Sequence, residues 1–240
     1  MFRTIFTIST VIIMTFIVSS LTIIFGIFGS YSKIIYYLAK AWTNSILFSA
    51  GVKLKIVGLE KIDKSKSYIF IGNHQSHFDV LSVFSALPLT VRFMAKKELF
   101  TIPVFGWALY ASGTIRIDRT NRSRAITSMN NALDRIRKGV SVVVFPEGTR
   151  SEDGKIRDFK KGGFVLAIKG EIPIIPISIS GSRFILRKHS NRIYPGNIKI
   201  LINDPINTKD YGYQEREKLN DYVRNIIIKN YDEHYNEGRI

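Results

Sequence analysis

Hydrophobic residues form one long uninterrupted run at the start of the chain. Between Arg3 and Lys33 lie 29 residues without a charge, rich in Ile, Phe, Val and Thr. As one helix this run would be about 44 Å long, which exceeds the ~30 Å hydrocarbon core of a bilayer. The apolar region of a secretory signal is shorter, about 7–15 residues. The pattern predicts a retained membrane anchor, and Gly26 and Gly29 leave open both a single span and a helix that turns back within one leaflet.

The next segment, residues 34–50, has an amphipathic pattern. Apolar residues recur there at helical spacing, with Lys33 and Lys40 on the opposite side, and its aromatic residues suit a membrane–water interface. We therefore predict an anchor over residues 1–50 and a folded domain over residues 51–240. The alternative for this segment is a helix packed on the globular core.

From residue 52 onward, short apolar runs alternate with stretches of helical periodicity. The apolar runs predict strands at 52–57, 68–72, 91–95, 114–117, 140–145, 174–179 and 198–202. The stretches with helical patterning predict helices at 80–87, 103–111, 122–137, 162–169 and 214–235. Strands that alternate with helices indicate a single layered α/β domain, with a mainly parallel or mixed sheet flanked by helices. The membrane-anchoring helices precede this domain.

The net charge of +16 calls for a negatively charged partner, which could be nucleic acid, an anionic membrane surface or an anionic substrate. From Lys209 onward acidic and basic residues nearly cancel, so the excess belongs to the folded part. A nucleic-acid arm would more often concentrate its charge in a polar tail. We therefore expect a membrane and anionic substrates as partners, and no nucleic acid.

Several chemistries are excluded by what the sequence lacks. It has no cysteine, which excludes disulfides, thiolate zinc sites and cysteine nucleophiles, and fits a reducing compartment. No G-x-x-x-x-G-K-[ST] or G-x-G-x-x-G loop supports nucleotide binding, and no G-x-S-x-G elbow supplies a serine nucleophile. A covalent acyl-enzyme is therefore not expected.

The strongest candidate for catalysis is the turn that holds His74 and Asp79, between a buried strand and a helix. A carboxylate that accepts a bond from one ring nitrogen fixes the tautomer and leaves the other nitrogen free to take a proton. The i, i+5 spacing requires His74 in the turn and Asp79 on the first helical turn. Two alternatives remain: Asp79 caps the helix beside a turn histidine, or His74, His77 and Asp79 bind a metal ion.

Three further stretches lie at or beside ends of predicted strands, where open α/β sheets place their sites. They are Gly113–Arg119, which Lys96 and Lys97 precede, Phe145–Ser151 and Ile172–Ile177. Arginines on turns after buried strands suit bidentate phosphate binding, although surface ion pairs would explain each one equally well.

Together with the His74–Asp79 turn, these stretches resemble the ordered motif set of the glycerolipid acyltransferases, most closely the bacterial 1-acylglycerol-3-phosphate O-acyltransferases. The resemblance covers about residues 50–180. It implies His74 as the general base, oriented by Asp79. It also implies the following binding residues: Lys97 and Arg119 for the acceptor phosphate; Glu147, Gly148, Thr149 and Arg150 for an acceptor-binding turn; and Pro173, Ile174 and Pro176 for the acyl or thioester side. Arg116 departs from the family pattern, in which an apolar or aromatic residue is usual.

The resemblance further implies acyl transfer to the sn-2 hydroxyl of 1-acylglycerol 3-phosphate. The donor would be acyl-CoA or acyl-carrier protein, without a cofactor or a metal. Positive charge after residue 33 favours a catalytic domain on the cytoplasmic side of the inner membrane. The alternatives are a related O-acyltransferase acting on glycerol 3-phosphate, another lysophospholipid or a lyso-aminolipid, and a non-catalytic basic binding protein at the membrane. A metallohydrolase is a third.

Overall fold

A seven-stranded sheet forms the centre of the domain. The computed structural model describes residues 1–30, 32–118 and 122–236, without the side chains of 122–126 and 129. Its strands are β1 (Val52–Val57), β2 (Ile69–Gly72), β3 (Val91–Lys96), β4 (Ile115–Ile117), β5 (Ser141–Val144), β6 (Ile174–Ser180) and β7 (Gly196–Ile202). Their order is β1-β7-β6-β2-β5-β3-β4, and every pair is parallel except β6 with β7.

The helices cover both faces of this sheet. They are α1 (Phe2–Phe25), α2 (Lys33–Ala50), α3 (His77–Ala86), α4 (Phe105–Ala111), α5 (Arg122–Arg137), α6 (Gly162–Gly170), α7 (Ser182–Ile185) and α8 (Arg216–Asn230). Short 3-10 segments lie at Gly26–Phe28, Leu59–Lys61, Lys97–Thr101 and Tyr213–Glu215. The predicted α/β architecture is confirmed.

The central strands are buried on both faces, as a sheet covered by helices on each side requires. Successive residues of β2 point to opposite cores: Phe70 packs with α2 and α3, whereas Ile69 and Ile71 pack with α5, α6 and α8. All residues of β2, β5 and β6 are buried. This explains why the sequence shows continuous apolar runs there rather than alternation.

Two elements differ from the prediction. The last helix ends at Asn230 instead of residue 235, because the Tyr231 hydroxyl donates to the Gly154 carbonyl and the Asp232 N–H donates to Ser180 Oγ. These bonds draw the chain away from the helix axis. The short helix α7 after β6 was not predicted.

Helices α1 and α2 form an antiparallel hairpin against the domain. Trp42 Nε1 donates to Thr15 Oγ1 at 2.9 Å, near the middle of the hairpin. The start of α1 is fixed to the globular part, because the Ile193 N–H donates to Thr4 Oγ1 at 3.1 Å. Its end is fixed as well, since Gly26 packs against Ala111 of α4. The chain turns back between α1 and α2, through the 3-10 segment Gly26–Phe28.

Part of the hairpin exposes apolar side chains, and part of it belongs to the domain core. By length and composition, Phe2–Phe28 is the one helical stretch in the described residues that could cross a bilayer. Large apolar side chains are exposed along it, whereas Ile46 and Leu47 of α2 belong to the domain core. Residues 34–50 therefore do pack on the globular part, and the boundary at residue 50 stays a prediction.

Candidate active site

The candidate residues follow three parallel strands and lie at one edge of the sheet. His74 follows β2, Lys97 follows β3 and Glu147 follows β5. Because β2, β3 and β5 run in the same direction, their carboxyl ends meet at one edge. The turns after these strands therefore surround a common space.

The imidazole of His74 and the carboxylate of Asp79 are in direct contact. Nδ1 of His74 lies 2.9 Å from Oδ2 of Asp79. The same oxygen accepts the backbone N–H groups of Gln75 at 2.6 Å and Ser76 at 2.8 Å. Ser76 is the N-cap of α3 and Asp79 its third helical residue, so the two form a capping box. The local sequence thus places His74 in the turn and Asp79 on the first helical turn, as predicted.

An aromatic ring also packs against the face of the His74 imidazole. The imidazole stacks on Phe145, with ring centroids 4.4 Å apart and an angle of 13° between the planes. Phe145 in turn contacts Phe93 of β3. With Nδ1 engaged by Asp79, Nε2 is the ring nitrogen available to a substrate, and His74 lies in the wall of the main cavity.

The backbone N–H and the backbone carbonyl of His74 are both hydrogen-bonded as well. The N–H donates to Glu147 Oε1 at 2.6 Å, and the carbonyl accepts the Ser151 N–H at 2.9 Å. The preceding Asn73 is buried, and its side-chain amide bonds both the N–H and the carbonyl of Ile179 in β6. Asn73 directly precedes the histidine in the sequence, but no pattern there predicted this role for it.

The side chain of Glu147 is buried and bonds to the backbone. Glu147 is 5% exposed, and its second oxygen accepts the Arg157 N–H at 3.1 Å. Burial raises the pKa of Glu147 to about 7. Each oxygen of the carboxylate thus accepts a backbone N–H group, and the contact with the acceptor stays a prediction.

The rest of that turn lies at the cavity. Gly148, Thr149 and Arg150 all line it. Gly148 has a φ of +75°, and a Cβ there would come within 3.1 Å of the Lys160 side chain. Lys160 also lines the cavity, and no sequence pattern had singled it out.

Lys96, the last residue of β3, and Lys97, directly after it, have different surroundings. Lys97 Nζ lies 3.1 Å from Asp118 Oδ2, whereas Lys96 lines the cavity. Arg119, the predicted phosphate ligand, lies outside the described residues. Arg116, which departs from the family pattern, is exposed and donates to the Tyr110 hydroxyl at 3.1 Å.

The main cavity has a volume of about 710 Å³ and lies between the helical hairpin and the sheet edge. Its walls come from α1 and α2 on one side and from α3, β3 and α4 on the other. Most lining side chains are apolar or small, and the cationic ones include Lys96, Arg150 and Lys160. No group of three metal-ligating side chains occurs within the described part of the chain.

The proline segment does not reach this cavity. Ile174 is fully buried, and Pro176 lies in mid-strand opposite Ile71. The reason is the register of the sheet: β6 pairs Ile174 with Ile69 at the start of β2, whereas His74 follows the end of β2. Pro173, Ile174 and Pro176 are not among the residues that line this cavity, and their place on the acyl or thioester side stays a prediction.

Comparison with known proteins gives a consistent picture. The model of the Acyltransferase family matches residues 53–180. Two relatives are 1-acyl-sn-glycerol-3-phosphate acyltransferase alpha of Homo sapiens (31% identity, 81% of this chain and 69% of that protein) and the chloroplastic 1-acyl-sn-glycerol-3-phosphate acyltransferase BAT2 of Brassica napus (34%, 82% and 56%). The chain spans about half to two thirds of the length of several such relatives.

A solved structure is similar over nearly the whole chain. It is the crystal structure of the 1-acyl-sn-glycerophosphate (LPA) acyltransferase PlsC from Thermotoga maritima, with a TM-score of 0.76 and 26% sequence identity. The match covers 95% of each chain, so it includes the helical hairpin as well as the sheet.

Proposed function

Because the chain belongs to the acyltransferase family, we propose that it transfers a fatty acyl group from a thioester donor to the sn-2 hydroxyl of 1-acylglycerol 3-phosphate. The product would be phosphatidic acid. The names of the relatives support the acceptor. The observation that carries the chemistry is the contact between His74 and Asp79 in the wall of a largely apolar cavity.

The chemical step follows from the orientation of the imidazole. With its Nδ1 proton held by Asp79, His74 Nε2 accepts the proton of the acceptor hydroxyl while that oxygen attacks the thioester carbonyl. The tetrahedral intermediate collapses as the carbon–sulfur bond breaks. The proton on Nε2 then passes to the departing thiolate. A thiolate is a good leaving group, so positioning and one base suffice, and no covalent acyl-enzyme is needed.

The cavity suits a lipid chain. Its volume of about 710 Å³ lies within the range of small-molecule sites, about 300–1,000 Å³. Because α1 and α2 supply part of its wall, a substrate dissolved in the membrane would reach it directly from the lipid side.

The acceptor phosphate would be held by cavity-lining cations. Arg150 can offer a bidentate guanidinium, and Lys96 and Lys160 add point charges. In this proposal Lys96 and Lys160 replace Lys97, whose ammonium group is paired with Asp118.

The helical hairpin would lie within one leaflet rather than span the bilayer. Both ends of α1 contact the globular domain, whereas its outer face exposes large apolar side chains. Basic charge on the domain would bind anionic lipid, at about 1 kcal/mol for each close Lys or Arg. With a net charge of +16, we place the domain at the cytoplasmic face of the inner membrane.

The donor is acyl-CoA or acyl-carrier protein, and the step needs neither a metal nor a cofactor. The test is thioester consumption by the detergent-purified protein. It receives oleoyl-CoA with 1-acylglycerol 3-phosphate, glycerol 3-phosphate or lysophosphatidylcholine in parallel, and His74→Ala serves as the control. Turnover with the first acceptor alone, lost in the control, is expected. Turnover on another acceptor would overturn the acceptor assignment, and near-normal transfer by His74→Ala would overturn the base. If no acceptor supports turnover, the same series is repeated with an acyl-carrier-protein donor.

A further inference from the structure

The carboxylate of Glu147 joins two backbone segments that meet at His74. Oε1 accepts the His74 N–H at 2.6 Å and Oε2 accepts the Arg157 N–H at 3.1 Å. The first bond joins residues 73 positions apart in the sequence. The turn after β5 therefore connects the histidine turn to the segment that leads to Lys160 in the cavity wall.

This arrangement has a specific chemical requirement. The two N–H donors reach different oxygens of one side chain, so both oxygens must be acceptors, as they are in an ionised carboxylate and not in an amide. A glutamine could accept from one donor, but its NH₂ group would face the other. Hydrogen bonds to a charged group are also stronger than neutral ones. The pattern explains why a buried acid lies here without an ion-pair partner among the salt bridges of the described residues.

We propose that Glu147 is a positioning residue for His74. Its carboxylate fixes the position of the imidazole by binding the backbone amide of His74, and it does not contact the acceptor. The inference rests on the acyl transfer proposed above. Asp79 and Phe145 set the direction and plane of the ring, but neither holds the backbone of His74 in place. Glu147 supplies that third constraint, together with the Ser151 N–H on the carbonyl side.

The protonation state of Glu147 should matter for this role. Its titratable neighbours are His74 and Asp79 on the histidine turn and Tyr231 after α8. Protonation turns one acceptor oxygen into a hydroxyl, which accepts more weakly and carries a donor without a partner. Glu147 then contributes to the acid side of the pH profile of kcat.

Two variants and one control test the proposal. Glu147→Gln keeps the size of the side chain and loses one acceptor. Glu147→Asp keeps the charge but withdraws the carboxylate by one methylene. Glu152→Gln makes the same change at an exposed acid directly after Ser151. We expect kcat to fall about 10- to 100-fold in both Glu147 variants, with the KM for the lysolipid acceptor within about twofold of the wild-type value. Glu152→Gln should match the wild type.

Two further readouts separate positioning from general stability. The acid side of the kcat profile should lose the ionisation of Glu147 in Glu147→Gln. Amide hydrogen exchange of the peptide that contains His74 should accelerate in both Glu147 variants, while peptides from β6 and β7 stay protected.

A raised acceptor KM with an unchanged kcat would overturn the proposal, because it would mean contact with the acceptor. Unchanged exchange at His74 would overturn it too. A wild-type protein that is inactive with every acceptor would refute the proposed function. The exchange measurement needs no turnover, so it would still test whether Glu147 holds the backbone of His74.

Discussion

One oxygen of Asp79 both caps helix α3 and holds the imidazole of His74. Oδ2 lies 2.9 Å from Nδ1 of His74 and accepts the N–H groups of Gln75 and Ser76 at the same time. The helix cap and the oriented histidine, which the sequence leaves as alternatives, are therefore one arrangement. Any change at this carboxylate affects the start of the helix and the histidine together.

Asp79→Asn should inactivate the protein while leaving it folded. The amide oxygen would still face Nδ1 and the Gln75 and Ser76 N–H groups, but the negative charge that stabilises the imidazolium formed when Nε2 takes a proton would be lost. We expect kcat to fall about 10²- to 10⁴-fold with the acceptor KM within about threefold, and a loss of about 1–2 kcal/mol in the free energy of unfolding. Steady-state kinetics and thermal unfolding measure these. Asp134→Asn, at an exposed acid on α5, should change neither; a normal kcat in Asp79→Asn would contradict the role of Asp79.

The sequence predicts those features that depend on local pattern. The run at 140–145 predicts a central strand, and β5 is indeed buried between β2 and β3. The i, i+5 spacing of His74 and Asp79 predicts their contact, because a capping box fixes the turn locally. Both inferences need only neighbouring residues.

Features that depend on how distant segments pair could not be predicted. The proline segment lies at a strand edge in sequence terms, but the register of β6 with β2 carries it to the opposite end from His74. The sequence shows Glu147 only as an acidic residue in a turn, because the His74 N–H that its carboxylate accepts is 73 residues away. Lys96 and Lys97 are neighbours that the sequence does not distinguish. Only the path of the chain at the end of β3 places their side chains in different surroundings.

These two lysines should respond differently to removal. Lys96→Ala takes away a cation of the cavity wall, so we expect the KM for the lysolipid acceptor to rise about tenfold with little change in kcat. Lys97→Ala breaks the contact with the mostly buried Asp118, so we expect a loss of about 1–2 kcal/mol of stability and a smaller change in KM. Kinetics and thermal unfolding of both variants test this. The reverse order of effects would restore Lys97 as the phosphate residue.

Glu147 should make stability depend on pH. Burial raises its pKa from 4.5 to about 7 in the folded protein. Between these values the folded state holds a proton that the unfolded chain has lost, so the contribution of Glu147 to stability falls as the pH rises through about 7. We expect the free energy of unfolding of the wild type, relative to Glu147→Gln, to decrease between pH 5 and pH 8 by on the order of 1–3 kcal/mol. Denaturant unfolding of both proteins across this range measures it, and parallel curves would contradict the shift.

The outer face of α1 should hold the protein on the membrane. Phe6 and Phe16 are 49% and 62% exposed along this helix. Burying such side chains in lipid contributes about 2–3 kcal/mol for the pair, so Phe6→Ser with Phe16→Ser should weaken vesicle binding about 30- to 150-fold. The matched control replaces Tyr213 and Tyr222, which are similarly exposed but lie beside or on α8, across the sheet from the hairpin. Co-sedimentation with anionic vesicles measures both. Equal loss in the two double variants would argue against the hairpin as the membrane-binding surface, whereas loss confined to the α1 variant would support a protein held in one leaflet by that face.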